Sequence, residues 1–465
     1  MVEQSVLAYN KKTVWDHLTE QEKQEVMNIA EDYKSFLARA KTERESAALV
    51  VEHAKSQGFV ALDSVNSPLK PGDRIYRLVK GKSVLLAVMG ERPVTEGFNA
   101  IGAHLDSPRL DLKVHPLYED EGLALLKTHY YGGIKKYHWL ALPLALHGVV
   151  YRGDGSGMEI RVGEEPGDPV FTITDLLPHL AKEQMDKKVN DAFPGETLRA
   201  LCGSLPAGDA EIKNRVKENI LLLLHNKYGL TEGDLVTAEL ELVPAIPPRD
   251  VGFDRSLVGA YGQDDRVCAY AQLVAIAGVV NPSRTAVAIF ADKEEIGSVG
   301  NTGMQSSLFL DFIAELVERS TGNYNELVLR RSLSASFGLS ADVNVALDPG
   351  FADTVEKDNT ARLGCGLVVT KYTGARGKNG SNDAHAEFLS RVVRIFNSRN
   401  VIWQTGELGK VDQGGGGTIA YMMAAHGMDV VDCGVGLLGM HSPFEVSHKA
   451  DLYMAVRGYA AFLLE

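Results

Sequence analysis

The residues with the most chemistry in them stand where apolar runs stop. Residues 285–291, TAVAIFA, have the length and composition of a strand buried on both faces, and Asp292, Lys293, Glu294 and Glu295 follow at once, before Gly297. Adjacent carboxylates at the end of a buried strand repel each other. Desolvation sharpens that repulsion, and a nearby dication reverses it. Open α/β sheets also keep their ligand sites at the carboxyl ends of strands. The pair therefore reads as one catalytic carboxylate and one metal ligand, although a Glu-Glu pair taken alone is most simply a solvated strand end.

Other strand ends and helix starts carry matching residues. His104-Leu105-Asp106 closes the strand-like residues 98–103. There an acidic residue near a ligand histidine accepts its other ring N–H and fixes the tautomer. Asp264-Asp265 precedes a largely apolar helix pattern; one Asp serves as a cap, and two exceed that need. Asp342 ends the run LSASFGLSA, and His441 follows VVDCGVGLLGM. Two histidines with three or four carboxylates, and no cysteine, suit a pair of zinc or manganese ions. A dinuclear site needs a bridging carboxylate, terminal ligands for each ion and a base that is not a ligand. This inventory fills those places with one residue to spare. The glycines at 414–417 lack the GK[ST] ending and the GxGxxG spacing of nucleotide loops.

The elements that must position these residues divide into two groups. A chain of 465 residues exceeds one ordinary domain. Thr19 with Glu22 and Thr42 with Glu45 form capping-box patterns ahead of two helices, with Gly58 as the stop. RIYRLV and SVLLAVMG flank Lys80-Gly81 as a hairpin. Residues 111–245 differ: strand-like segments broken by Gly, Pro and acidic turns, with TAELELVPAI alternating as a sheet with one wet face does. Gly153 to Gly157 reads as a hairpin turn. FTITDLLPHLAKEQMDKKVN and AEIKNRVKENILLLLHNKYG read as helices. Because candidate ligands lie on both sides, residues 111–245 read as a domain inserted into one made of 1–110 and 246–465. Ser447 reads as the N-cap of an amphipathic C-terminal helix.

The net charge of −13 argues against nucleic-acid binding. No apolar run of about 18 residues occurs, so no membrane span is expected. The first twenty residues lack an apolar h-region, so no secretory signal is expected. Cys202, Cys268, Cys365 and Cys433 are scattered, which fits a reducing, cytoplasmic setting and argues against thiolate zinc sites.

The same pieces carry a family resemblance. AHLDSPRL, QDDR, DKEEIGS, SADV, the PHLA of the insertion and MHSPFE run in family order over nearly the whole chain. The sequence resembles the co-catalytic metallo-aminopeptidases that include aspartyl aminopeptidase and vacuolar aminopeptidase I. The resemblance implies an α/β fold: a metallopeptidase domain with a central mixed sheet flanked by helices, interrupted by an inserted β-rich dimerisation domain. It implies a tetrahedral homododecamer built from dimers, with sites facing an internal chamber. It also implies two divalent metal ions per subunit, zinc foremost, with manganese or cobalt as alternatives. His104, Asp264 and Asp342 would hold one ion and Asp264, Glu295 and His441 the other. Asp264 would bridge, often with a cis peptide after it. Asp106 and Asp265 would stand behind the ligands, Asp106 orienting His104. Glu294 would take a proton from water and pass it to the leaving amine. The free α-amine of the peptide substrate would bind the second ion, restricting cleavage to the N-terminal residue.

His179, by itself a helix-surface histidine, would by resemblance reach a neighbouring subunit's site and stabilise the tetrahedral intermediate. Members that prefer acidic residues use a basic side chain in the pocket for the first residue, and Lys371 lies near the corresponding place. Arg376 and Lys378 make the following loop more cationic than in eukaryotic members. A basic pocket would take Asp or Glu by charge pairing; a solvated loop and an apolar preference are the alternatives. Two other functions share parts of the pattern. A related amidohydrolase or carboxypeptidase would not need a free amine, so blocked peptides separate it. A non-catalytic oligomeric shell protein would bind no metal.

Overall fold

The computed structural model describes residues 9–208, 213–374 and 376–465. The chain forms two compact units. The first comprises Met1–Asp106, Pro248–Met440 and Glu445–Glu465; the second comprises Ser107–Pro247 and His441–Phe444. The breaks expected from the sequence follow residues 110 and 245. The short return of His441–Phe444 to the second unit has no signal in the sequence.

The first unit is built on a nine-stranded mixed sheet. In spatial order its strands are Val60–Ala61, Arg74–Val79, Ser83–Val88, Ala286–Ala291, Asn99–His104, Phe337–Ser340, Asp429–Gly434, Leu367–Thr370 and Trp403–Thr405. Ala286–Ala291 pairs parallel to Asn99–His104 and antiparallel to Ser83–Val88. Every residue of these three strands is buried. That is why they read as continuous apolar runs rather than alternating ones. Successive side chains go to opposite faces. Val84, Leu86 and Val88 enter one core, with Tyr33, Ile276, Phe396 and Phe462 from helices. Leu85 and Ala87 enter the other, with Phe309, Phe312 and Met423.

Thr19 and Thr42 both close the expected capping boxes, opening the helices Glu20–Arg39 and Glu43–Ser56. The C-terminal helix Lys449–Leu463 departs from expectation. It is buried almost all round rather than amphipathic, and its cap is His448, whose ring accepts from the Ala450 N–H. Ser447 instead donates to Gln263 Oε1 at 2.5 Å. A five-stranded sheet in the same unit joins Leu257–Ala260 to Glu445–His448 and Gly436–Leu438 to Asn344–Val345.

The second unit holds a six-stranded antiparallel sheet, in the order Gly157–Val162, Leu144–Tyr151, Glu239–Pro244, Arg109–Asp120, Leu123–Tyr131 and Arg199–Gly203. Helix Arg215–Tyr228 accompanies it; the start of the expected helix pattern, 209–212, lies outside the described residues. Glu239–Pro244 is buried beyond its first residue, so it does not present a wet face. The expected helix at 171–190 is absent. Only Lys182–Met185 and Val189–Ala192 turn helically, and neither has a buried residue. Pro178 interrupts the pattern, and a helix with no face to bury lacks the packing that stabilises short helices.

Candidate metal centre

Three parallel strands, Ala286–Ala291, Asn99–His104 and Phe337–Ser340, deliver their carboxyl ends to one edge of the nine-stranded sheet. His104 ends its strand, 2% exposed. Glu294 and Glu295 sit on a 3-10 turn that begins three residues after Ala291. Asp342 comes two residues after Ser340. The chain can turn there because Gly434 lies alongside: a Cβ on it would stand 1.7 Å from the Asp342 carbonyl oxygen.

The His104 ring is fixed at both nitrogens. Nδ1 lies 2.9 Å from the Asp106 carbonyl oxygen, which only accepts, so Nδ1 carries the proton. Nε2 is then the ring nitrogen left to face the carboxylates, 3.2 Å from Asp264 Oδ1 and 3.9 Å from Glu294 Oε2. Asp106 thus orients the ring chiefly through its backbone; its carboxylate Oδ1 is 3.4 Å from Nδ1. That carboxylate accepts the N–H of Glu294 at one oxygen and of Glu295 at the other, both at 3.1 Å. One buried side chain therefore aims both glutamates.

Asp264 and Asp265 do not cap the helix Gln263–Ala277. Both have non-helical backbone angles, the peptide between them is cis, and the N-cap position is Gly262. Glu445 Oε2 accepts the Asp264 N–H at 3.1 Å. Gln263 donates to the carbonyls of Val258 and Glu445 and accepts from Tyr33 and Ser447. Asp265 accepts the His104 N–H at 3.3 Å. The sequence assigns no role to Glu445 or Gln263, although they stand inside the motifs MHSPFE and QDDR.

Two groups of ligand atoms lie within 4.8 Å of one another: His104, Asp264 and Glu295, and His104, Glu294 and Asp342. Glu294, expected as the base, stands beside Asp342 within ligand reach. At an effective dielectric constant near 20, two carboxylates about 4 Å apart repel by about 4 kcal/mol. The consequence shows in the acids themselves. Burial, then repulsion from Asp265 and Glu294, pushes the Asp342 carboxyl well above its usual range. Burial likewise raises Asp265, although His104 opposes it. Burial lowers the basicity of His104, but Asp106, Asp264 and Glu294 overcome it and hold the imidazole well above its usual value. The donor set, an imidazole lone pair and clustered carboxylate oxygens without thiolates, fits zinc and its hard-ligand relatives.

Residues 36–463 match the family model for the aminopeptidase I zinc metalloproteases, M18. The chain belongs to the M18 aminopeptidase family. The probable M18 family aminopeptidase 1 of Clostridium acetobutylicum is 49% identical over 455 residues, spanning 97% of this chain and 98% of the relative. The M18 aminopeptidase crystal structure from Thermotoga maritima superposes with a TM-score of 0.94 at 46% identity, over 98% of this chain and 99% of that one. The S. cerevisiae mApe1, solved as a dodecamer, shares the fold at a TM-score of 0.74 and 20% identity, over 93% and 96% of the two chains. This M18 enzyme is thus an aminopeptidase of a zinc metalloprotease family, a hydrolase acting on peptides.

The other expected residues are His441, His179 and Lys371. His441 is placed in the second unit, where its Nδ1–H donates to the Gly133 carbonyl at 2.7 Å, leaving Nε2 as the lone-pair nitrogen. His179 lies on an exposed turn rather than a helix. Lys371 follows the strand Leu367–Thr370, which runs antiparallel to Asp429–Gly434. Thr370 pairs with Asp432, Asp432 with Ser340 and Ser340 with Gly102, so Lys371 leaves the sheet short of the level of His104 and heading away from it.

Proposed function

We propose that this aminopeptidase works with two divalent cations per chain, zinc in the first instance. His104 and Asp342 serve one, Glu295 and His441 the other, with Asp264 shared, and Asp265 and Asp106 support them. The observation that carries this reading is His104 Nε2, set among the carboxylates of Asp264 and Glu294 while the Asp106 carbonyl holds Nδ1. Bound cations lower the pKa of water and polarise a carbonyl. Glu294, held by the Asp106 clamp, takes the proton of the attacking water and returns it to the leaving amine. The site recognises a free N-terminal amine, so an N-acetylated peptide is not cut.

His179 and its neighbours Leu176, Leu177 and Leu180 are all exposed. An exposed apolar run of this kind is an association surface. We read it as the place where His179 meets another subunit, in a homododecamer built from dimers like that of mApe1. The setting is cytoplasmic; among the described residues no helix is long and apolar enough to cross a membrane.

The test is hydrolysis of Asp-, Glu- and Leu-p-nitroanilide by metal-free protein reloaded with zinc, manganese or cobalt. Metal-dependent release from free-amine substrates, lost in Glu294→Gln, is the expected result. The ranking of side chains gives the preference for the first residue. No release from any free-amine substrate by metal-loaded protein overturns the mechanism. Two equivalents of metal per chain, and loss of one in His441→Ala, test the ion count. A fall in kcat without loss of metal in His179→Ala, together with the mass in solution, tests the assembly.

A further inference from the structure

A second cavity opens in the first unit, of about 320 Å³. It forms beside the edge of the nine-stranded sheet. Lys371 and Tyr372 come from the end of Leu367–Thr370, and Trp403 from the edge strand Trp403–Thr405, with Glu407 just beyond it. Leu389 and Val393, one turn apart on helix Ala386–Ser398, complete the apolar wall. None of the residues that line it belongs to the His104 cluster.

Its charges are arranged unusually. Glu407 is held by its backbone, which donates to the Asn359 carbonyl, and by the Tyr372 hydroxyl, which donates to Oε1 at 2.5 Å. Oε2 is not engaged by that bond. Among the described residues Lys371 makes no ion pair within 4.0 Å, although Glu407 lines the same cavity. An ammonium and a carboxylate that share a cavity without neutralising each other leave room for a ligand carrying the opposite charge at each end. The walls between them are aromatic and aliphatic. The volume lies at the small end of ligand pockets, roughly 300–1,000 Å³, which suits one residue rather than a peptide.

We propose that this cavity binds a free α-amino acid with an apolar side chain. Its carboxylate lies on Lys371 Nζ, its ammonium on Glu407 Oε2, and its side chain against Leu389, Val393 and Trp403. Free amino acids are what an aminopeptidase releases, so the site takes the product class of its own reaction. This gives Lys371 a partner different from the acidic first residue that the sequence suggested.

Calorimetric titration of the metal-free full-length protein with L-leucine tests this away from the catalytic metals. One equivalent is expected to bind. N-acetyl-L-leucine, without the ammonium, and L-leucinamide, without the carboxylate, are each expected to bind roughly tenfold more weakly or worse. Lys371→Ala should weaken leucine by a similar factor and leave leucinamide unchanged, because the lost partners are the same pair. Glu407→Gln should do the converse with the N-acetyl compound. Leu389→Trp, which fills the apolar wall, should abolish binding with the melting temperature held. Absence of binding to the metal-free protein, or equal leucine affinity in Lys371→Ala and the parent, overturns the assignment.

Discussion

Two groups of charged side chains in the first unit differ in sign balance. Around Asp250, Lys449 approaches Oδ1 at 2.8 Å and Lys34 approaches the same atom at 2.7 Å, while Lys34 also reaches Glu31 at 2.9 Å. Each anion there faces a cation, and Arg255 Nε adds a third cation 3.9 Å from Asp250 Oδ2. Although burial alone would raise it, Lys34 and Lys449 hold the Asp250 carboxyl below its usual range. Around His104 the carboxylates of Asp265 and Asp342 are driven the other way, well above theirs. A balanced group ties elements together; here it joins helix Glu20–Arg39, strand Arg249–Val251 and helix Lys449–Leu463. An unbalanced one is a site waiting for positive charge. In these two groups the acids shift in opposite directions.

The largest expected effect breaks catalysis and leaves the rest. Glu294→Gln should lower kcat by a factor of about 10²–10⁴, the usual scale for a general base. Its N–H still meets Asp106, so the fold and melting temperature should hold. Loss of activity accompanied by collapse of the melting temperature would place Glu294 in the structural class instead.

Next comes an inversion. In the metal-free protein, Asp342→Asn removes a repelled buried charge and should raise the melting temperature at neutral pH. With saturating zinc the same change should lower it, because a ligand that binds only the folded state at a thousand times its Kd contributes about 4 kcal/mol. The pH dependence follows the same sign. A carboxyl with a raised folded pKa binds more protons folded than unfolded, so stability falls as pH rises above the unfolded value near 4. Metal-free protein should therefore melt higher at pH 5 than at pH 8, and Asp342→Asn should flatten that difference. Calorimetry with and without zinc checks both.

The candidate site was legible where the signal is local. Capping boxes span three residues, and a strand end marked by Glu294-Glu295 needs no partner to be noticed. Adding His104, Asp264, Asp342 and His441 rested on the types that a metal requires. The parts that escaped are those in which distant strands make the neighbour. Asp106 was expected to orient His104; its carbonyl takes the ring N–H, its carboxylate stands 3.4 Å from the same nitrogen, and that carboxylate also accepts two glutamate N–H groups. Glu445 meets Asp264 because Leu257–Ala260 pairs with Glu445–His448. Ser447 has the type and position of an N-cap, and only the arrival of Gln263 explains why it does something else. The run at 171–190 misled for the opposite reason: its apolar residues have helical spacing but no surface within the unit to cover, so Leu176, Leu177, Leu180 and Met185 stay exposed.

Lys449→Met should destabilise the protein by about 3 kcal/mol, the scale for breaking a buried pair, with activity per folded molecule unchanged. That result contrasts directly with Glu294→Gln, and reduced zinc content in Lys449→Met would erase the distinction between the two groups.

The smallest effect is the sharpest about balance. Lys34 is 16% exposed at its side chain and Lys449 is not exposed at all, yet both converge on one Asp250 oxygen. Lys34→Met leaves Asp250 with Lys449 and gives Glu31 back to water, so it should cost only about 1 kcal/mol, near the value of an exposed pair. If the two cations share one anion, the double variant strands Asp250 without either, and its loss should exceed the sum of the single losses. Coupling of 0.5–3 kcal/mol is typical for residues in one network. Strict additivity in urea unfolding would mean that each lysine acts on its own partner, and that the balance around Asp250 is a sum of separate pairs rather than one group.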